Sequence, residues 1–272
     1  LSIDNSLVNN VSEGLSFEDF QINGAGNGAV LCIGQMTNAR FKNLTINGGY
    51  YGLGGLCLGL SPICDSYPVN IENCKFASQK DCGVKAMSWF GSIRGGEVIG
   101  YGRKAISATG SSLLISGTFF SGCSGLTATN VFRFPRIDNF GIYTIQNINI
   151  DFEGDYPTQA YLYAESEQFT PGSRIVIRDS DFGTSGNSGQ PIALLVSHSQ
   201  DGPKSYQPAI LRFEGVRLGW ITGTIGQLPL YLVQVIGSGS QWTIDAHDIQ
   251  PLGYSGLGIN GAGTLNTYWG NY

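Results

Sequence analysis

One spacing of apolar and polar positions recurs along almost the whole chain. It reads apolar, polar, turn-prone polar, apolar, polar, apolar, and is first seen in Leu15–Ile22 as Phe17–Ile22. Further copies fall at Phe41–Ile46, Ile71–Phe76, Ile93–Val98, Ile115–Phe120, Ile137–Ile142, Ile145–Ile150, Ile177–Phe182, Phe213–Leu218 and Ile244–Ile249. Self-similarity at a step of a few tens of residues is the mark of a repeat architecture. The closing apolar residue advances by 24, 30, 22, 22 and 22 residues, and later by 32, 36 and 31. The shortest step suits one turn of a three-sided parallel β-coil, since three strands of about four residues and three turns use roughly that much chain. Longer steps are then the same coil with a longer loop. The copies closing at Ile142 and Ile150 lie eight residues apart, too close for a coil each, so one of them is accidental or belongs to an insertion.

The third position of the motif carries the physical argument for a bend. It holds Asp19, Asn43, Asn73, Gly95, Gly117, Asn139, Asn147, Asp179, Gly215 and Ala246, and nine of these ten are Asn, Asp or Gly. Those are the residues that enter the left-handed backbone region most cheaply. The residue two before the motif is usually apolar (Leu15, Val69, Leu113, Ile175, Leu211, Trp242), and period-2 alternation turns these and the motif's apolar residues inward. Gln21, Thr45, Lys75, Glu97 and Asp248 are expected to face solvent. A third strand is expected between copies: Ala29–Ile33, Gly83–Met87, Lys104–Ala108, Leu126–Thr129, Ala160–Ala164, Pro191–Val196 and Leu230–Val235. Helical periodicity is absent. The fold expected is all-β, a single-stranded right-handed parallel β-helix of about nine coils. Residues 1–14 form a lead-in, 15–250 the β-helix and 251–272 an aromatic C-terminal segment that caps the coil or meets a partner chain.

Composition adds little beyond this frame. The 40 glycines match a chain of many tight turns, and the aromatics suit strands. A net charge of −5 with no basic block argues against nucleic acid as partner. No apolar run approaches the roughly 18 residues of a membrane span, so no membrane insertion is expected. The chain starts at Leu1, without a signal peptide, and an uncovered first coil would be adhesive. A missing N-terminal cap or a covering neighbour chain is therefore expected. The six cysteines show neither zinc spacing nor a CxxC pair, and neither metal nor cofactor is implied. Cys74 reads as a buried thiol, whereas Cys57, Cys64 and Cys82 lie near an inserted loop where one disulfide could form.

A coil with this repeat and a turn-prone residue between two strands resembles the right-handed parallel β-helix proteins. These include pectate lyases, polygalacturonases, alginate lyases and bacteriophage tailspikes. The resemblance spans residues 15–250 and implies binding, and often cleavage, of an extended polysaccharide along a groove. The Asp pair, Gly-His-Gly and Arg-x-Lys signatures of polygalacturonases are absent, as is a recognisable pectate-lyase calcium site.

The longest loops flank one sheet in the C-terminal half, which marks a groove. For hydrolysis, which needs two carboxyl groups, that groove offers Asp151, Glu153 and Asp155 on one rim and Glu165, Glu167 and Asp201 on the other. Solvated loop acids are the plainer reading of each. Elimination instead needs a base and a cation that neutralises a uronate. Lys85 is the candidate cation, with Lys80, Arg94, Arg103 and Lys104 nearby, though surface charge would explain them equally. His198, at a strand end beside a long loop, is a candidate acid–base group; His247 is expected inside. Trp89, Tyr163, Tyr206 and Trp220, and also Tyr50 and Tyr51, are candidates for stacking on sugar faces. Asn10 and Asn43 begin glycosylation patterns, but Asn43 is already explained by its turn.

The expected function is that of a phage tailspike or tail fibre, homotrimeric and extracellular, that binds a bacterial cell-surface polysaccharide, with its depolymerisation left open. A secreted polysaccharide lyase or glycoside hydrolase and a non-catalytic adhesive solenoid are the alternatives.

Overall fold

The computed structural model describes residues 2–4, 12–24, 30–33, 36–56, 66–87, 89–109, 112–123, 132–136, 142–153, 160–166, 174–185, 193–199, 209–218, 220–221, 224–225, 231–236, 242–251, 258–260 and 264–267. Among them there is no helix. The chain winds as a parallel β-helix whose turns contribute strands to three ladders.

Two ladders meet at the motif's bend. The strand before it is Ala39–Lys42 in one coil, Ser66–Glu72 in the next and Trp89–Arg94 after that; the strands after it are Thr45–Asn47, Lys75–Ala77 and Glu97–Tyr101. Each pairs in parallel with its counterpart one coil on, so that Ile71 lies between Phe41 and Ile93, and Phe76 between Ile46 and Val98. In Arg174–Ser185 and Ala209–Leu218 the strand runs unbroken through the bend, which joins both ladders into one 17-stranded sheet. The third ladder has ten strands in strict chain order, from Ser2–Asp4 through Cys82–Met87, Ala160–Ser166 and Ala193–Ser199 to Gly258–Asn260.

The bend is left-handed as its residue types require. Asp19, Asn43, Asn73, Asn147 and Asp179 have φ between 44° and 57°, and Gly95, Gly117 and Gly215 have φ of 65°, 64° and 62°. The amides at this corner donate along the axis: Asn43 N to Glu72 O at 2.9 Å, Asn73 N to Arg94 O at 2.8 Å and Gly95 N to Ser116 O at 2.8 Å. The backbone groups freed by the bend are thus satisfied by the next coil.

Inward residues stack in columns. Ile46, Phe76, Val98, Phe120, Ile150, Phe182 and Leu218 form one, and each is at most 1% exposed. At the N-terminal end the column beside it begins with Phe17 and Phe41, whose rings stack at 5.4 Å.

Register decides between the two crowded copies and corrects two further expectations, and the free cysteines narrow the disulfide expectation. Of the two crowded copies, Ile145–Ile150 is the true one, because Ile145 pairs with Ile115 and Ile150 with Phe120; Ile142 opens that strand opposite Arg174. Residues 137–141 lie outside the described residues. The last copy is Ala246–Pro251 rather than Ile244–Ile249, since Ala246 pairs with Phe213 and the positive φ, 50°, falls at Asp248. His247 therefore sits on the outside, its Nε2 2.6 Å from Asp245 Oδ1. In the third ladder the strand expected at 126–129, outside the described residues, has its counterpart at Phe132–Arg136. Finally, Cys82 is a free buried thiol, as is Cys74, so neither joins a disulfide. Beyond residue 250 the ladder continues, with Thr264–Thr267 pairing with Trp242–His247.

Candidate functional site

The third ladder is where the connections differ most along the molecule. In the N-terminal half the links into it are 24–29, of six residues, and then the short 48–50, 78–81 and 102–103. Further on they are 124–131, 154–159, 186–192 and 219–230. The links out of it likewise grow, from 88 and 110–111 to 137–141, 167–173, 200–208 and 237–241, with 5–11 and 57–65 as early long ones. Both edges of the C-terminal half of this ladder thus carry longer chain, on a backbone held by continuous parallel pairing.

Glu165 and His198 are register partners on adjacent strands of that half. Neighbouring strands lie about 4.8 Å apart, so folding brings together two groups that stand 33 positions apart in the sequence. Tyr163, two residues before Glu165, pairs with Arg133 on one side and Val196 on the other. Lys85 belongs to the same ladder and pairs with Ser107, which in turn pairs with Arg133. It stands three strands from Glu165, about 14 Å along the axis, too far to act on the same bond. Asp155, Glu167, Asp201 and Tyr206 lie outside the described residues. Trp220 lies in a short antiparallel pair, Trp220–Ile221 with Thr224–Ile225, which breaks the otherwise parallel pattern of the described residues.

Around Lys85 the geometry is well defined. Its ammonium is 3.2 Å from the Tyr51 hydroxyl and 4.7 Å from the centre of the Tyr51 ring. Tyr50 meets Tyr51 edge-on at 4.7 Å. A cation over an aromatic face is attracted by the ring quadrupole, and the three side chains form an amphipathic ledge at the N-terminal end of the ladder. Behind it, Lys104 pairs with Asp81 at 3.3 Å, with only 13% and 8% of their side chains exposed. The adjoining Cys82 thiol is pushed up to about 12, chiefly by burial and secondarily by Asp81, against the opposing pull of Lys104 and Lys85. It is a packed thiol, not a nucleophile.

Trp89 must be withdrawn as a stacking platform. It is 2% exposed, because it shares the parity of Gly91 and of buried Ile93 in its strand and so turns inward.

Sequence reading missed a second constellation, on the outer face of the ladder before the bend. Thr144, Arg174, Val176, Arg178, Ile210 and Arg212 line a concavity of about 260 Å³. The alternation Arg174-Val176-Arg178 was visible, but the approach of Arg212 depends on the length of the intervening coil. That length is a property of the loops rather than of the motif.

The fold thus defines the class, a parallel β-helix, and class alone does not assign an activity. No protein-family model matches this chain, and neither the curated proteins nor the solved structures yield a match.

Proposed function

We propose that this chain is a tailspike-like member of the pectin-lyase-like β-helices that binds an extended bacterial cell-surface polysaccharide along its third ladder. Cleavage, where it occurs, is assigned to the region of Glu165 and His198. The observation that carries the reading is the coincidence of these two residues in register with the stretch where connections lengthen on both edges. A rigid parallel sheet flanked on both edges by longer connections suits a linear polymer, and loops on such a scaffold are the usual carriers of function. A Glu and a His in backbone register are residue types that can supply a proton donor and an acceptor of different basicity, as acid–base cleavage requires. Hydrolysis would need a second carboxyl group, for which Glu167, Asp155 and Asp201 are the candidates; elimination would draw on a cation nearer than Lys85, such as Arg133.

The experiment is retention and turnover of purified capsular and lipopolysaccharide polymers. Binding is expected, with new reducing ends reporting hydrolysis and unsaturated ends reporting elimination. Glu165→Gln and His198→Ala should each lower turnover by about a hundredfold while polymer retention persists. Retention without turnover in the unaltered chain would favour the adhesive solenoid; absence of retention for every polymer would overturn the reading.

A further inference from the structure

The concavity on the ladder before the bend has a simple physical origin. Val176, a short side chain, sits at the centre of a field of longer ones. Its register neighbours are Thr144 and Arg212, and Arg174 and Arg178 are the next outward residues of its own strand. Ile210, the register partner of Arg174, completes the rim. The result is a dimple with a valine floor, an apolar wall and three guanidiniums.

Two of those guanidiniums are compensated. Arg178 Nε lies 3.1 Å from Glu214, and Arg212 Nη2 lies 2.7 Å from Asp245, to which its Nε also donates at 2.9 Å. Arg174, in contrast, forms no ion pair among the described residues. Three positive groups against two carboxylates leave a local positive excess on a chain whose net charge is −5. Nearby Ile210 is 40% exposed, one of only two large apolar side chains so exposed among the described residues. A fork-shaped donor with no ion-pair partner among the described residues, beside a part-exposed apolar wall, fits a ligand that carries a carboxylate on a compact, partly apolar frame. The volume, about 260 Å³, lies just under the range of roughly 300–1,000 Å³ typical of drug-sized ligands. The space matches about one ring.

We propose that this dimple is a binding site for a small carboxylic acid, or for the carboxylate-bearing terminal residue of a larger one, separate from the third ladder. The carboxylate is held by Arg174, with Arg178 and Arg212 raising the local potential, and the frame rests on Ile210 and Val176. The proposal does not depend on polysaccharide binding in the groove.

Titration of the full chain with glucuronate, benzoate, glucose and inorganic sulfate, followed by calorimetry or chemical-shift change, tests it. Saturable binding of glucuronate or benzoate is expected, and which of the two binds tighter separates a sugar acid from an apolar acid. Glucose should not bind, and sulfate should bind at least tenfold more weakly. Arg174→Ala should weaken the acid about tenfold with unchanged circular dichroism, since the side chain is exposed, and Ile210→Ser should weaken benzoate more than sulfate. Absence of carboxylate binding, an undiminished affinity in Arg174→Ala, or sulfate binding as tight as the acids would overturn the proposal. So would a change of oligomeric state in Arg174→Ala, which would make the dimple a contact between copies of this chain.

Discussion

Asn73 shows how much one residue type decides. Its φ of 51° is unfavourable for most side chains, yet Asn enters this region readily and its amide donates to the carbonyl of Arg94 at 2.8 Å. Asn73→Ala keeps that hydrogen bond and adds only the conformational penalty, so it should cost about 1–2 kcal/mol. Asn73→Gly should cost no more than a few tenths. Urea denaturation of the two variants checks the order, and equal losses would contradict a left-handed origin. In the next coil Gly96, one position after the corresponding Gly95, has no such latitude, because an added Cβ would stand 2.0 Å from the Cys74 carbonyl oxygen. Cys82 gives the pH prediction at this scale. Its thiol is held protonated, with the value raised from 9.0 to about 12. Above pH 9 the unfolded chain releases this proton and the folded chain retains it, so its contribution to stability is present below that pH and is lost as pH rises towards 12. Denaturation midpoints should fall over this window, and less so in Cys82→Ala. In the native protein neither Cys82 nor Cys74 should react with a thiol reagent at pH 8; prompt labelling of either would contradict their burial.

Elements in this fold owe their stability to the coil on either side. Phe120, 0% exposed, lies in register between Val98 and Ile150. Phe120→Ala should cost about 3–5 kcal/mol, read as a drop in the denaturation midpoint. Outer cross-strand pairs behave differently. Arg217 grips Asp181 with two hydrogen bonds of 2.5 and 2.6 Å, but over half of its side chain is in solvent. Arg217→Ala should therefore cost under about 1 kcal/mol. The motif was legible at this scale because burial imposes the same inward types on every coil. Where the inward residue is atypical the reading slipped: Ala246 occupies the place of Phe213, and the copy was taken two residues early. With it went His247, which period-2 parity then placed inside. Of the copy at 137–142 only Ile142 lies among the described residues, and it opens the strand that carries the next copy, opposite Arg174.

For the whole molecule, a ladder of parallel strands has two ends and one exposed flank per sheet, and unpaired ends invite association. A homotrimer is the expected assembly of a tailspike-like chain, and light scattering on the eluting protein measures it. A mass three times the chain's 29.1 kDa supports the tailspike reading; a monomer would move the balance towards a secreted enzyme.

The sequence alone determined the solenoid, because its repeat is written by burial and by backbone sterics, both of which act locally and identically in every coil. It also pointed to the ladder with the longer links, since link length is counted directly along the chain. Only the tertiary structure decided which side chains meet between coils. The backbone pairing of Glu165 with His198, Lys85 set three strands away, and Arg212 brought to Arg174 are all consequences of register. Register depends on the summed length of the intervening strands and loops, and a change of one residue in that sum exchanges inside for outside.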